Sequence, residues 1–282
     1  MPTPFDSPRR GANAPLPTPP PEVAPAKPAP EPADLALCRS ALYEALALGF
    51  RPPAPETVTR LASREGAGAL ADASAVLDEA WGIELSSHVR RLGGFCDLEA
   101  LAASFQRLFG HTARGLVPPY ETEYGDDSLF QPMHEMSDLA AFYRAFGLTL
   151  APMAHERLDH VSCECEFLMC LTRKQAYALE QDDLVMLDDT RRAVRLFLSD
   201  HLGRWAPGFG RTLAREDPRG FFGALGSLCV EFISHECAEV GVTAVPEFVR
   251  LRSAAPADLP MACGPATELL QITLPSSRRD AR

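Results

Sequence analysis

The sequence predicts an all-α protein: one bundle-like domain of roughly ten helices, with a long central loop and disordered termini. Three observations carry this. From Asp34 onward, apolar residues recur at three- to five-residue intervals, the period of an amphipathic helix. No alternating strand pattern of any length appears. Twelve of the 26 prolines fall in the first 32 residues, where they exclude both helix and sheet.

The elements follow in order. Residues 1–32 read as a Pro/Ala-rich tail of polyproline II character, and the prolines around Pro17 to Pro21 could contact a proline-reading module. Leu35, Leu42, Leu46 and Phe50 mark the first helix, which Arg51-Pro52-Pro53 stops. Helical stretches follow at 55–65, 68–80, 82–93 and 97–110, punctuated by glycines such as Gly66, Gly93 and Gly110. Residues 111–135 are rich in Gly, Pro, Tyr and Asp and read as a loop, long enough to suggest function. Helices resume at 136–147, with Gly147 as the residue past the C-cap, and at 159–180. Then come 184–203, 208–215 and 219–240. In this reading a helix ends near Gly203, and Trp205 and Phe209 staple the turn after it. Residues 33–253 form the helical domain, with a possible hinge near 156–160, and 254–282 form a fraying tail.

Bulk composition bounds the function. A chain of 282 residues with 46% apolar content can bury a substantial core. Its net charge of -11 suits neither nucleic-acid backbones nor anionic membranes, and attracts basic segments instead. Eight cysteines include no CxxC pair, and most sit in apolar helical runs, which suggests a reducing compartment. No apolar run is long enough to span a membrane, and Arg9-Arg10 is followed by no apolar core of an export signal. The expected location is the cytoplasm.

Two segments concentrate chemistry. The first is Pro118-Pro119-Tyr120-Glu121-Thr122-Glu123-Tyr124, a proline-stiffened, aromatic, acidic turn. Its tyrosines are rigid amphipathic anchors and its carboxylates suit basic groups. The second begins at Glu156 and runs through Asp159-His160 to Glu164 and Glu166. Asp159 is placed to cap a helix, with His160 as its first residue and Cys163, Glu164, Phe167 and Leu171 on the same face. His160, Cys163 and Glu164 are within reach of one ion, but hard and soft ligands are mixed and no HxxxH pair occurs, so no metal is expected. The chain has no GxSxG elbow and no Gly-rich phosphate loop, so no enzyme and no cofactor are expected. On 136–147, Leu139, Phe142, Tyr143 and Phe146 share the core face, while Arg144 lies off it, free to be solvated or to bridge to the acidic loop.

These motifs, in this order, resemble the TorD/DmsD/NarJ family of molybdoenzyme maturation chaperones. The resemblance runs from the Leu42-Tyr43 helix to about Glu239. It includes Pro118-Pro119-Tyr120-Glu121, the Phe142-Tyr143-Arg144 helix, Glu156-x-x-Asp159-His160, the Glu164-to-Met169 helix, and His201-Leu202-x-x-Trp205-x-Pro207-x-Phe209. Thr122 stands where the family usually has Ser, and Arg157-Leu158 where it often has Pro. The resemblance implies a non-enzymatic cytoplasmic chaperone, monomeric or dimeric. Its partner would be the apo catalytic subunit, or the twin-arginine leader, of a molybdopterin-dependent reductase or dehydrogenase. The residues placed in contact are Pro118, Pro119, Tyr120, Glu121, Glu123, Tyr124, Arg144, Asp159, His160 and Glu164. The alternatives are a helical adaptor for another basic and apolar peptide and, further off, a hydrolytic enzyme.

Overall fold

The computed structural model describes residues 30–110, 114–126, 131–150, 156–242 and 248–253. The tail expected at 1–32 lies almost wholly outside these residues, as does the one at 254–282. Among the described residues there are ten α-helices and no strand beyond isolated bridges.

Helix α1 (Pro32–Gly49) starts on a proline, whose missing N–H costs nothing at the first turn. It ends before Pro52-Pro53, as its sequence requires. The stretch read as one helix over 55–65 is instead a short α2 (Pro55–Thr57) running into a π-turn (Val58–Ala62). Ser63 then breaks the run. Its Oγ accepts from the Gly66 N–H at 3.0 Å and so caps α3 (Arg64–Trp81), which starts four residues earlier than the periodicity suggests. The span 82–93 holds only α4 (Leu85–Arg90), whose first N–H groups are taken by the Asp78 carboxylate. Asp97 caps α5 (Leu98–Phe109).

Helix α6 (Gln131–Ala145) begins inside the span read as a loop. It ends as its sequence predicts: Gly147 has φ 70°, its N–H meets the Arg144 carbonyl, and the Leu148 N–H meets that of Tyr143. Next come α7 (Val161–Glu180) and α8 (Leu184–Asp200). The turn expected around Trp205 is helical instead. Helix α9 (Leu202–Glu216) contains Trp205 and Pro207, and the break comes earlier, at His201. Pro207 is tolerated about one and a half turns into the helix. Helix α10 (Phe221–Glu239) closes the set.

Helix α1 lies along α7, and α9 along α10. The second pair approaches closely through glycine. A Cβ on either Gly210 or Gly226 would stand 2.6 Å from the other's carbonyl oxygen. Aromatic rings fill the rest: Phe142, Tyr143, Phe167 and Phe197 on one side, Phe50, Phe109, Phe209 and Phe222 on the other. Burying each such ring stabilises by roughly 1.5–3 kcal/mol.

One ion pair ties α1 to α10. The Arg39 guanidinium donates to both oxygens of Glu236 at 2.7 Å and to Gln175 at 2.9 Å, and the Tyr43 hydroxyl donates to Glu236 at 2.9 Å. Burial alone would lower the Arg39 pKa; the Glu236 carboxylate outweighs it and holds it above the usual range. The seven described cysteines are free, and burial pushes the Cys229 and Cys237 thiols up to about 12, as befits small core residues. No described helix is long and apolar enough to cross a membrane.

Candidate functional site

The acidic turn lies between two other segments. Pro118 and Pro119 are buried and hold the chain extended, so it pairs by main chain instead of coiling. On one side Tyr120 bridges His160: the Glu121 N–H donates to the Asp159 carbonyl and the Val161 N–H to that of Pro119, both at 2.9 Å. On the other side Tyr124 bridges Leu251, with the Gly125 N–H on the Arg250 carbonyl and the Arg252 N–H on that of Glu123, both at 2.9 Å. Between these edges, residues Glu121–Glu123 make one 3-10 turn. The Tyr124 hydroxyl closes it on the Pro118 carbonyl at 2.7 Å, and its ring stacks on Trp205.

Charged side chains converge here in unusual number. Asp159 is fully buried; it accepts from the Thr122 N–H and hydroxyl and from Arg157. It is therefore not the helix cap that its position suggested. Its carboxylate turns toward the acidic turn, and His160 caps α7 in its place, with Nδ1 accepting the Ser162 N–H at 3.1 Å. Burial, with Arg51 and Arg157 nearby, pulls the His160 pKa down to about 3, so the imidazole is neutral with its proton on Nε2.

Glu121 is buried against His201, with Nδ1 at 3.0 Å from Oε2. Burial raises its pKa, and His201 works against that. Glu164 has no such partner. It is fully buried, accepts only from the Trp205 Nε1–H at 3.3 Å, and leaves Oε1 without a hydrogen bond. Burial pushes its pKa well above the usual carboxylate range, and Glu121 adds to this.

Nine of the ten sequence-predicted residues thus gather around one turn. Pro118, Pro119, Glu121, Tyr124, Asp159, His160 and Glu164 are buried, while Tyr120 and Glu123 are half-buried. Glu123 pairs with Arg114 at 2.9 Å, and Tyr120 lies under the Arg157 guanidinium. Arg144 is not brought in. It is exposed and donates to the Ala140 carbonyl of its own helix, because it follows buried Tyr143 by one residue and so points about 100° away.

The cations that do face the acids were not singled out from the sequence. Arg252 is buried and donates to both oxygens of Glu135, at 3.1 and 3.2 Å, and to the Thr122 carbonyl at 2.9 Å. Arg204 is half-exposed and stands 3.9 Å from Glu121 and 3.8 Å from Glu135. The nearest signal in the sequence is the motif around His201. A cleft of about 550 Å³ opens over the group, between α6 and the start of α9, lined by His134, Glu135, Ser137, Asp138, Asp200, His201 and Arg204.

Three carboxylates, Glu135, Asp138 and Asp200, and one guanidinium, Arg204, line the cleft. Ser162, His160 and Glu156 line up superficially like a hydrolytic relay, with 2.7 Å from Ser162 Oγ to Nδ1 and 3.8 Å from Nε2 to Glu156. Ser162 is buried and belongs to the helix cap, and an imidazole with a pKa of about 3 is a poor base at neutral pH. Among the described residues no group of three or more His, Cys, Asp or Glu could hold a metal ion.

Residues 76–211 match the family described as "Nitrate reductase delta subunit", a span that includes the acidic turn, the α7 entrance, Glu164, His201 and Arg204. "Chaperone protein TorD" of Vibrio cholerae serotype O1 (strain M66-2) is 28% identical over 138 residues, covering 48% of this chain and 60% of that protein. "Perchlorate reductase assembly chaperone protein" of Dechloromonas aromatica (strain RCB) is 36% identical over 103 residues, 36% of this chain and 45% of the relative. "Selenate reductase assembly chaperone protein" of Thauera selenatis is 36% identical over 84 residues, 29% of this chain and 42% of the relative. The chain thus spans about 60% of the length of the TorD relative and less of the other two.

Proposed function

From its kinship with the TorD/DmsD/NarJ family of redox enzyme maturation proteins, we propose that this chain is a cytoplasmic chaperone, not an enzyme. Its client is the apo catalytic subunit of a molybdopterin-dependent oxidoreductase, or that subunit's twin-arginine leader. It holds the client unexported and open to cofactor insertion until assembly is complete. The named relatives support the class of client, since two of them are assembly chaperones of reductases.

The observation that carries the reading is the cleft between α6 and α9. The buried carboxylate of Glu135 lines it, and the half-exposed Arg204 stands 3.8 Å from Glu135 and 3.9 Å from Glu121, which is buried behind the lining. Asp138 and Asp200 add exposed acid at its rim. A guanidinium from a client displaces Arg204, which stands too far from Glu135 and Glu121 to hydrogen-bond them, and donates to Glu135 directly with its planar fork. Buried Glu164 stabilises no cation directly. The acidic chain as a whole speeds encounter with a basic leader.

The test is capture from native cytosol under reducing conditions, followed by titration with the client's leader. Recovery of one large molybdopterin subunit is expected, with binding at least tenfold weaker when the leader's Arg-Arg is replaced by Lys-Lys. A folded bait that binds both leaders equally is instead an adaptor for basic, apolar peptides.

A further inference from the structure

The segment Phe248–Ser253 behaves as a bound peptide, not as part of the bundle. It is extended, and it pairs with the outer edge of the acidic turn by the two main-chain bonds to Gly125 and Glu123. It delivers one guanidinium into the interior, where Arg252 meets Glu135 and the Thr122 carbonyl while its Nε stays without a partner. Its apolar side chains contribute little: Phe248 is 71% and Leu251 39% exposed. Val249 alone is seated, over Gly208 of α9, where a Cβ would come within 2.5 Å of it. Addition of a strand to a free edge, with one or two side chains read by pockets, is a general mode of peptide recognition.

Arg252 shares its carboxylate with the cleft. Glu135 takes Arg252 from the interior and stands 3.8 Å from Arg204 on the solvent side. Two arginines of the chain itself thus converge on the acids that the preceding section assigns to a client. Arg252 lies outside the span that matches the family, residues 76–211.

We propose that Phe248–Ser253 is an internal stand-in that fills the turn's edge in the absence of a partner, and that an extended, arginine-bearing segment of the partner takes the same edge and the same carboxylate. This rests on the chaperone reading above. Tethering gives the stand-in a high effective concentration, so it holds the edge without a large contact area and yields to a tighter ligand.

The probe is a capped hexapeptide with the stand-in's own sequence, Phe-Val-Arg-Leu-Arg-Ser, titrated into the full chain and into full-length R252Q. The amide in R252Q can still donate to Glu135. The peptide is expected to bind R252Q at least tenfold tighter than the unmodified chain, and to lose at least tenfold when its second arginine is lysine. Equal affinity for both proteins, or no binding to a folded R252Q, overturns the proposal.

Hydrogen exchange on the unmodified chain gives a second readout that needs no variant. With excess peptide, the Arg252 amide should exchange faster while the Gly125 amide stays protected, because the peptide replaces its acceptor. No change at Arg252 overturns the proposal. A chain that still captures its reductase in that case keeps the chaperone reading and loses only the stand-in. A peptide that displaces the segment in a chain that captures no reductase does the reverse.

Discussion

Two regions of this molecule bury charge, and they do it in opposite ways. At the α1–α10 tie, one guanidinium meets one carboxylate by both nitrogens, and Tyr43 and Gln175 satisfy what remains. Around the acidic turn, Glu121, Glu135, Asp159 and Glu164 crowd together. Arg157 serves Asp159 from two residues away, but the cations at Glu135 come from distant segments, and one acid, Glu164, is left short of partners. Matched charge makes a static fastener. Surplus acid makes a place where a cation from elsewhere is worth more than in water, because the acids are already desolvated.

The contrast is broken most severely by Glu236→Ala. It strands the Arg39 guanidinium, and a loss of about 3–5 kcal/mol in urea unfolding is expected, as for other buried pairs deprived of one partner. A loss below about 1 kcal/mol would mean water replaces the carboxylate and the tie is not a fastener.

Smaller effects come from the turn, and they carry a sign in pH. His160 is held neutral, with its pKa depressed from 6.5 to about 3, so the stability it contributes is present above 6.5 and drains away as pH falls toward 3. His160→Asn keeps a capping group and should flatten this acid limb, read from urea midpoints between pH 4 and 7. Glu164 has the opposite sign. Its pKa is raised, so its contribution is complete below the ordinary 4.5 and is lost as pH rises through the folded value. Glu164→Gln should therefore gain on the unmodified chain with rising pH, and parallel curves from pH 5 to 9 would show that the Glu164 pKa is not raised. The least effect belongs to Arg144→Ala, within about 0.5 kcal/mol and without change in leader binding, since its side chain meets only its own helix.

What could be read from the sequence divides along similar lines. Local rules worked where local forces decide. The stop at Pro52-Pro53 and the Gly147 C-terminus are set by a few neighbouring residues, and both stand where the sequence puts them. The rules failed where tertiary contact overrides them. A helix end near Gly203 with a turn after it is what the sequence suggests, yet α9 runs from Leu202 through Pro207, carrying Trp205 to Glu164 and Phe209 into the core. Asp159 is a better cap than His160 by intrinsic preference, but Thr122 and Arg157 compete for its carboxylate. The anionic half of the site is concentrated in two short motifs and so was visible. The partners of these acids, Arg157 excepted, come from 69 to 117 positions further along the chain, at His201, Arg204 and Arg252, and no periodicity announces them.

The glycine contact between α9 and α10 has a mechanical side. Backbone lies on backbone at Gly210 and Gly226, so these two helices travel as a single beam. That beam carries one wall of the cleft, from Leu202 onward. The opposite wall, on α6, is held through side chains, with the rings of Phe142, Tyr143 and Phe146 edge-on or tilted against Phe167 and Phe197. The two walls of the cleft are thus anchored differently, Arg204 on a helix locked backbone to backbone and Glu135 on one held by interdigitated rings.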